Sequence, residues 1–428
     1  MNAVPEDHPR HPADPTGWTA LLSLAFLALA TVRLTIPSTP LFDETHYLPA
    51  ARAALALSHL ANPEHPPLGK ELIALGVAVF GDRPLGWRIL PALFGALALF
   101  AAMRAMWFAS LSRFATIAFG VLLATGFHLF IQARIAMLDI FMGAFMLAAL
   151  WMCAGAVREN ETARWRLAIA GAAFGCAMAS KWNAVPVAAL PGLAFLAVRL
   201  RFAGLRFLTA WRGPPVGGMT LVEAAVWLGL LPLAVYVLTY LPMAFLARDA
   251  IPLSGLVEHH RQMLALQEQL LQPHTYQSVW YEWIGNWRSI WYLYEPVDEA
   301  QRGVLLIGNP LTMLLGLPAL AWCAWTGFFR GRWDALGVFV LYAVSLGLWI
   351  VAAKPVQFYY HYFLPSSFLL AALALALDAL WRRGRRWTPL LALAGSAAMF
   401  AFFWPILTAA PLDGPQAFAR WTWLDSWR

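Results

Sequence analysis

The feature that most restricts this chain is a succession of apolar runs, each long enough to be a helix through a bilayer. They fall at residues 18–36, 85–107, 114–132, 137–157, 221–245, 335–353 and 388–408. A spanning helix needs roughly 20 mostly apolar residues, because hydrocarbon leaves each backbone amide to be satisfied within its own segment. Runs at this density predict an all-α polytopic membrane protein. Composition agrees: 61% of the 428 residues are hydrophobic and 12% are charged, which excludes a soluble fold. The first run reads as an uncleaved anchor, since it is long, ends in Arg33 and Thr35, and is followed by no small-residue cleavage site.

A net charge of +7 could point to nucleic acid, but the basic residues lie in short clusters between apolar runs. That is the distribution of the positive-inside rule, so membrane topology explains the charge and no nucleic acid is expected. With residues 1–17 inside, Arg104 and Arg113, Arg158 to Arg166, Arg199 to Arg212, Arg330 with Arg332, and Arg382 to Arg386 all return to the inner face. This requires the run 167–198 to divide near Ser180-Lys181-Trp182-Asn183, gives about eleven spans, and leaves the C-terminus outside. Cys153, Cys176 and Cys323 are odd in number, lie in apolar segments and show no CxxC spacing, so neither disulfides nor a zinc cluster is indicated.

The chain reads as one domain, 1–428, with two long outer segments, 37–84 and 246–302, which are expected to carry function. The first reads as two short surface helices on either side of Asn62-Pro63-Glu64-His65-Pro66-Pro67, where proline removes donors and restricts the residue before it. In the second, Leu253, Leu256, Val257, Met263, Leu264, Leu270 and Leu271 recur at helical spacing and predict an amphipathic interfacial helix. The aromatic residues that follow, Trp280, Tyr281, Trp283, Trp287, Trp291, Tyr292 and Tyr294, read as a membrane-interface girdle rather than a sugar-stacking platform. Gly171 and Gly175 fit small-residue helix packing.

All three lysines, Lys70, Lys181 and Lys354, fall at outer ends of spans in this topology, where lysine is unusual. Arg134 joins them, five residues before Asp139. An ionisable residue at a span is costly, so each reads either as a buried pair or as a substrate contact. With the acids Asp43, Glu44, Glu64 and Asp139 on the same side, the outer face could hold a lipid phosphate beside a polar acceptor. Asp43 and Glu44 sit in Leu41-Phe42-Asp43-Glu44-Thr45-His46-Tyr47, where a helix would bring Asp43, His46 and Tyr47 to one face. The same two acids also suit a plain helix N-terminus.

At these residues the chain resembles the protein O-mannosyltransferases, within the C-type superfamily of membrane glycosyltransferases that use lipid-phosphate sugars. The resemblance rests on Phe42-Asp43-Glu44-Thr45-His46-Tyr47, His65-Pro66-Pro67-Leu68-Gly69-Lys70, Gly86-Trp87-Arg88, Ala133-Arg134 through Leu138-Asp139, and Ser180-Lys181-Trp182. Weaker echoes follow at His274 to Trp280 and at Phe358-Tyr359-Tyr360. The aminoarabinose transferases share the Asp-Glu loop and the Pro-Pro pattern. Segment 246–302 is too short for the β-trefoil module of the eukaryotic enzymes, so the resemblance is to the bacterial type.

The resemblance implies an inverting transfer of a sugar, foremost mannose, from a polyprenyl-phosphate carrier to a hydroxyl of an exported protein. Asp43 becomes the general base, with Glu44 beside it as a second catalytic acid. Arg134, Lys181, Lys70, Lys354 and Arg88 become candidates for the carrier phosphate, which needs cationic stabilisation as it leaves. His46, Tyr47, Glu64, His65, Asp139 and Trp182 become substrate-binding or supporting residues. No cofactor is required, although His46, Glu64 and His65 could hold a divalent metal. The implied setting is an inner membrane with the site facing the periplasm, among membrane lipids. Two rival readings are an enzyme that modifies lipid A or another envelope glycan, and a transporter or flippase with charges along its path.

Overall fold

The computed structural model describes residues 13–269, 272, 274–352 and 354–428. Residues 1–12 of the expected inner segment, and Leu270 and Leu271 of the expected interfacial stripe, lie outside them. The first half of the chain forms α1 (Thr16–Thr31), α2 (Glu44–Leu55), α3 (Leu68–Phe80), α4 (Pro84–Ser110), α5 (Arg113–Ala124), α6 (His128–Gln132), α7 (Leu138–Arg158), α8 (Ala163–Ser180) and α9 (Val185–Ala203). Next come α10 (Leu221–Ala225) and α11 (Leu231–Leu238), joined by a π-turn over Val226–Leu230, then α12 (Leu256–Gln267) and α13 (Trp280–Ile284). A hairpin of β1 (Ile290–Val297) and β2 (Ala300–Leu306) precedes α14 (Pro310–Arg330), α15 (Trp333–Val351), α16 (Phe363–Arg382) and α17 (Trp387–Leu407).

Among the described residues, eight helical segments are long and apolar enough to cross a membrane, and the chain is a multi-pass membrane protein. The count of eleven is not reached on length and composition. Of the other helices expected to span, α1 and α5 are apolar but only 16 and 12 residues long, and α8 carries Arg164 and Arg166 in its first turn.

The centre of the bundle is built from α4, α7, α8 and α16, whose facing sides are alanine, glycine and large apolar residues. Gly171 and Gly175 explain how α8 meets its neighbour. A Cβ on Gly171 would stand 2.0 Å from the Trp227 carbonyl oxygen, and one on Gly175 would stand 2.6 Å from that of Pro232. The first of these carbonyls belongs to the π-turn, which bulges its backbone into the space that glycine leaves open.

The two long segments, 37–84 and 246–302, follow from local chemistry. The Asn62 to Pro67 break separates α2 from α3, as the prolines dictate. The helix expected at the interface forms as α12, with His259 and Met263 buried and Val257 and Leu264 exposed. The chain is not wholly helical, however. Asp298 and Glu299 both take left-handed backbone conformations (φ 48° and 62°), the geometry of a tight two-residue turn, and fold the aromatic-rich stretch into an antiparallel hairpin.

This hairpin corrects the girdle reading. Trp283, Trp291 and Tyr292 are buried within the protein, while Tyr281 and Trp287 remain exposed. The Trp291 indole donates to the Trp427 carbonyl at 2.9 Å, fastening the C-terminal segment to β1. At the turn, the Asp298 carboxylate accepts from the Ser38 amide at 2.9 Å and the Ser38 hydroxyl at 2.6 Å. The hairpin is therefore tied to the loop that leads to α2.

Candidate active site

That loop is fixed by two guanidinium groups. Arg134, at the end of α6, donates to the carbonyls of Ala30 and Val32, both at 2.6 Å, and lies over the Phe130 ring. These are carbonyls at the C-terminal end of α1, which lack helical partners and carry the negative end of its dipole. Arg88, from α4, is fully buried and uses all five of its N–H groups. Nη1 donates to the carbonyls of Leu34 and Pro37, Nη2 to the Thr39 carbonyl and to Glu44, and Nε to Glu44 again.

Glu44 answers in kind. Its Oε1 accepts from Arg88 Nε at 2.9 Å and the Ala136 amide at 2.8 Å; its Oε2 accepts from Arg88 Nη2 at 2.7 Å and the Leu41 amide at 2.8 Å. A carboxylate whose two oxygens each accept two hydrogen bonds, with no exposure, has no room for an acceptor proton. The adjacent acids thus divide: Glu44 locks the start of α2, and Asp43, one residue earlier, faces outward into a cavity.

This cavity has a volume of about 640 Å³. The first loop contributes Asp43, His46, Tyr47, Glu64 and His65, and the far side contributes Gln267, His274, Lys354, Phe358 and Tyr360. Phe42 turns the chain into the site with a left-handed backbone (φ 41°) that costs a residue with a side chain about 1–3 kcal/mol. Its ring packs edge-on against Tyr292 (5.3 Å), Phe358 (5.9 Å), His274 (6.0 Å) and Tyr360 (6.3 Å), contacts that offset the strain.

Burial raises the Asp43 carboxyl above the ordinary carboxylate range against the pull of Lys181; Asp139 adds to the rise, while His46 and Lys354 oppose it. The Tyr47 hydroxyl donates to Asp43 Oδ2 at 3.4 Å, and burial raises that phenol well above its usual value. Burial also holds the His65 imidazole well below its usual value, so the ring is neutral at pH 7.

The cations assigned to a carrier phosphate separate into three groups. Lys354 lines the cavity, and its Nζ donates to Gln267 Oε1 at 2.8 Å. Lys181 lies behind the wall: Nζ pairs with Asp139 Oδ2 at 2.7 Å and sits 4.8 Å from the centre of the Tyr360 ring, whose residue lines the cavity. Arg88, Arg134 and Lys70 do not line it. Lys70 Nζ donates to the carbonyls of Asn62 (2.6 Å) and His65 (2.9 Å), bracing the break between α2 and α3, and burial pulls its ammonium down to about 8. In this structure these three lie outside the cavity lining and are bonded to backbone carbonyls, joined for Arg88 by a carboxylate.

Trp182 supports the site from a distance. Its indole donates to the Tyr236 hydroxyl at 2.8 Å and stacks on His260 of α12. His46, Glu64 and His65 share the cavity, but among the described residues no three His, Cys, Asp or Glu side chains converge to hold a metal ion. Glu64 Oε1 accepts from the Asn62 side-chain amide at 2.5 Å.

Sequence reasoning did not place Gln267, His274 or Tyr360 in the site, nor Tyr292 against the Phe42 ring behind it. Gln267 stood among polar residues of an amphipathic helix, and Tyr292 among residues assigned to a girdle. Only the faint motif echoes at His274 and Tyr360 carried any signal. In chemical terms the cavity joins a half-buried carboxylate able to accept a proton, an ammonium able to meet an anion, and aromatic walls suited to a sugar face.

Known proteins share this arrangement of the chain. Residues 64–211 match the family described as dolichyl-phosphate-mannose-protein mannosyltransferase, and residues 252–427 match the C-terminal four-transmembrane region of protein O-mannosyltransferase. The polyprenol-phosphate-mannose–protein mannosyltransferase of Mycobacterium tuberculosis is 29% identical, over 96% of this chain and 91% of that protein. Its namesake from Corynebacterium glutamicum is 26% identical, over 96% and 94%. In fold, the chain resembles the Saccharomyces cerevisiae protein O-mannosyltransferase Pmt1-Pmt2 complex bound to the sugar donor, with a TM-score of 0.82 and 14% identity over 97% of this chain and 93% of that one. Cupriavidus metallidurans ArnT bound to undecaprenyl phosphate is more distant, with a TM-score of 0.57 and 16% identity over 90% and 64%.

Proposed function

The chain belongs to the protein O-mannosyltransferase family, and from that premise we propose that it moves mannose, with inversion, from a polyprenyl-phosphate carrier to a hydroxyl group of an exported protein. The observation that carries the reading is that Asp43 and Lys354 face one cavity. In a single displacement, the Asp43 carboxylate takes the acceptor proton as the hydroxyl oxygen attacks the anomeric carbon. The bond from that carbon to the phosphate oxygen breaks, and the carrier phosphate leaves with the electron pair and one more negative charge, which the Lys354 ammonium offsets. Lys181, paired with Asp139 behind the wall, draws the Asp43 carboxyl down while Asp139 pushes it up.

The same reading places the cavity outside an inner membrane. The arginines near 330 and 382–386 lie at the opposite ends of α15 and α16 from Lys354 and Tyr360, which supports an outward cavity under the positive-inside rule.

The test is transfer by purified protein in lipid vesicles supplied with polyprenyl-phosphate mannose and a serine- or threonine-containing peptide. Asp43→Asn keeps the shape of the side chain and removes its basicity, so transfer should fall by about 10²–10⁴-fold while carrier binding persists. Transfer at the unmodified rate would exclude Asp43 as the base. Transfer to lipid A in place of the peptide would move the assignment to an envelope lipid acceptor.

A further inference from the structure

Lys354 stands in a short connection between α15 and the 3₁₀ turn at Tyr359–Tyr362, a part of the chain with no helix to orient its long side chain. Orientation comes from across the cavity. The Lys354 ammonium donates to Oε1 of Gln267 at 2.8 Å, and Nε2 of the same amide donates to the Glu64 carbonyl at 2.7 Å. The two ends of the amide are distinguished by chemistry, since an ammonium can only donate and a backbone carbonyl can only accept. Gln267 therefore bridges the first loop to the lysine that faces the cavity.

Gln267 is itself fixed. It is the last residue of α12, and that helix is moored two turns earlier by His260, whose Nε2 lies 2.7 Å from the Tyr236 hydroxyl and whose ring stacks on Trp182. His259 and Met263, on the same helix, are buried, and the Tyr240 hydroxyl meets the Met263 sulfur.

The partner's neutrality matters as much as its position. Lys181 is ion-paired with a carboxylate, which already engages its charge. Among the described residues no carboxylate lies within ion-pair distance of Lys354, and Gln267 takes one of its three N–H donors without taking its charge. The geometry points to Gln267 as a positioning residue that aims the Lys354 ammonium at the carrier phosphate while leaving its positive charge free for that phosphate. This inference rests on the proposed reaction and adds to it the residue that sets carrier affinity from a helix not previously part of the site.

The decisive variant is Gln267→Glu, nearly the same shape but anionic, which would pair with Lys354 and compete with phosphate. Full-length protein in lipid vesicles would be assayed for KM and kcat with polyprenyl-phosphate mannose, and separately for binding of polyprenyl phosphate without sugar. Gln267→Glu should raise KM, weaken polyprenyl-phosphate binding by about tenfold or more and lower kcat as well, because a paired Lys354 offsets less of the charge the leaving phosphate gains, with thermal stability kept. Gln267→Ala should show smaller effects, and adding it to Lys354→Ala should cause no further loss, because it would act only through the lysine.

A residue that merely tied the loops together would lower thermal stability and activity in both variants alike and would not single out the anionic one. Carrier binding by Gln267→Glu equal to the unmodified protein, or additive losses with Lys354→Ala, would overturn the inference. If the unmodified protein bound polyprenyl phosphate but transferred no mannose, the proposed function would fail while the binding results still decided the role of Gln267. If it bound no polyprenyl phosphate, both would fail.

Discussion

Replacing Arg88 with alanine should unfold the outer half of the site rather than empty a substrate pocket, and the size of the effect can be worked from its contacts. The guanidinium gives two bonds to Glu44 and three to the carbonyls of Leu34, Pro37 and Thr39, all inside the protein. Its removal leaves Glu44 as a buried carboxylate held only by the amides of Leu41 and Ala136. Breaking a buried pair by deleting one partner costs about 3–5 kcal/mol, because the remaining charge has no compensation.

For a chain of 428 residues one kcal/mol corresponds to about 1–2 °C, so the apparent melting temperature should fall by roughly 3–10 °C, followed by tryptophan fluorescence or by retention of the monodisperse protein in detergent. Arg88→Lys should recover only part of this, since an ammonium has three donors where the site uses five. If Arg88→Ala melted within about 1 °C of the unmodified protein yet lost transfer, the pair would not be structural and Arg88 would have to act on substrate.

Two further outcomes are expected. Burial first, and Lys181 second, pull the Lys354 ammonium down to about 8, so the free protein carries that charge below pH 8 and loses it above; KM for the carrier should rise as pH passes through about 8, and a flat profile from pH 7 to 9 would remove Lys354 from the phosphate. Gly171→Leu would drive a side chain into the π-turn carbonyl of Trp227 and should destabilise the fold by about 1–3 kcal/mol, measured as a lowered melting midpoint; unchanged stability would mean that α8 and the π-turn can separate without cost.

The membrane architecture was legible because apolar length is a property of consecutive residues. The break between α2 and α3 was legible because proline acts locally. Gly171 and Gly175 announced close packing, although nothing in the chain foretold that a π-turn would fill the space. The hairpin was hidden since its strands are rich in aromatic residues that suit an interface as well as an interior, and its turn is Asp-Glu rather than a glycine pair.

The acids and cations were found, but their assignments were not readable from position. Asp43 and Glu44 are neighbours in sequence, yet one turns to the cavity and the other into a cage of donors, a difference set by Arg88 forty-four residues away. Lys354 and Arg134 both sit near span ends, but one has a glutamine across a cavity and the other the end of α1. Such outcomes depend on which distant segment arrives opposite each side chain, and no local pattern records that.

The clamp formed by Arg88 and Arg134 also bears on what the protein can accept. A base carried on a loop pinned at both its entry and its exit is stationary, so the reacting hydroxyl must do the travelling. Within an exported chain, a residue locked into a helix or sheet cannot lower itself into a cavity of about 640 Å³. Segments that are still extended, or that never fold, can. Under the proposed function, timing relative to the acceptor's own folding would then choose the modified sites as much as the residues around them.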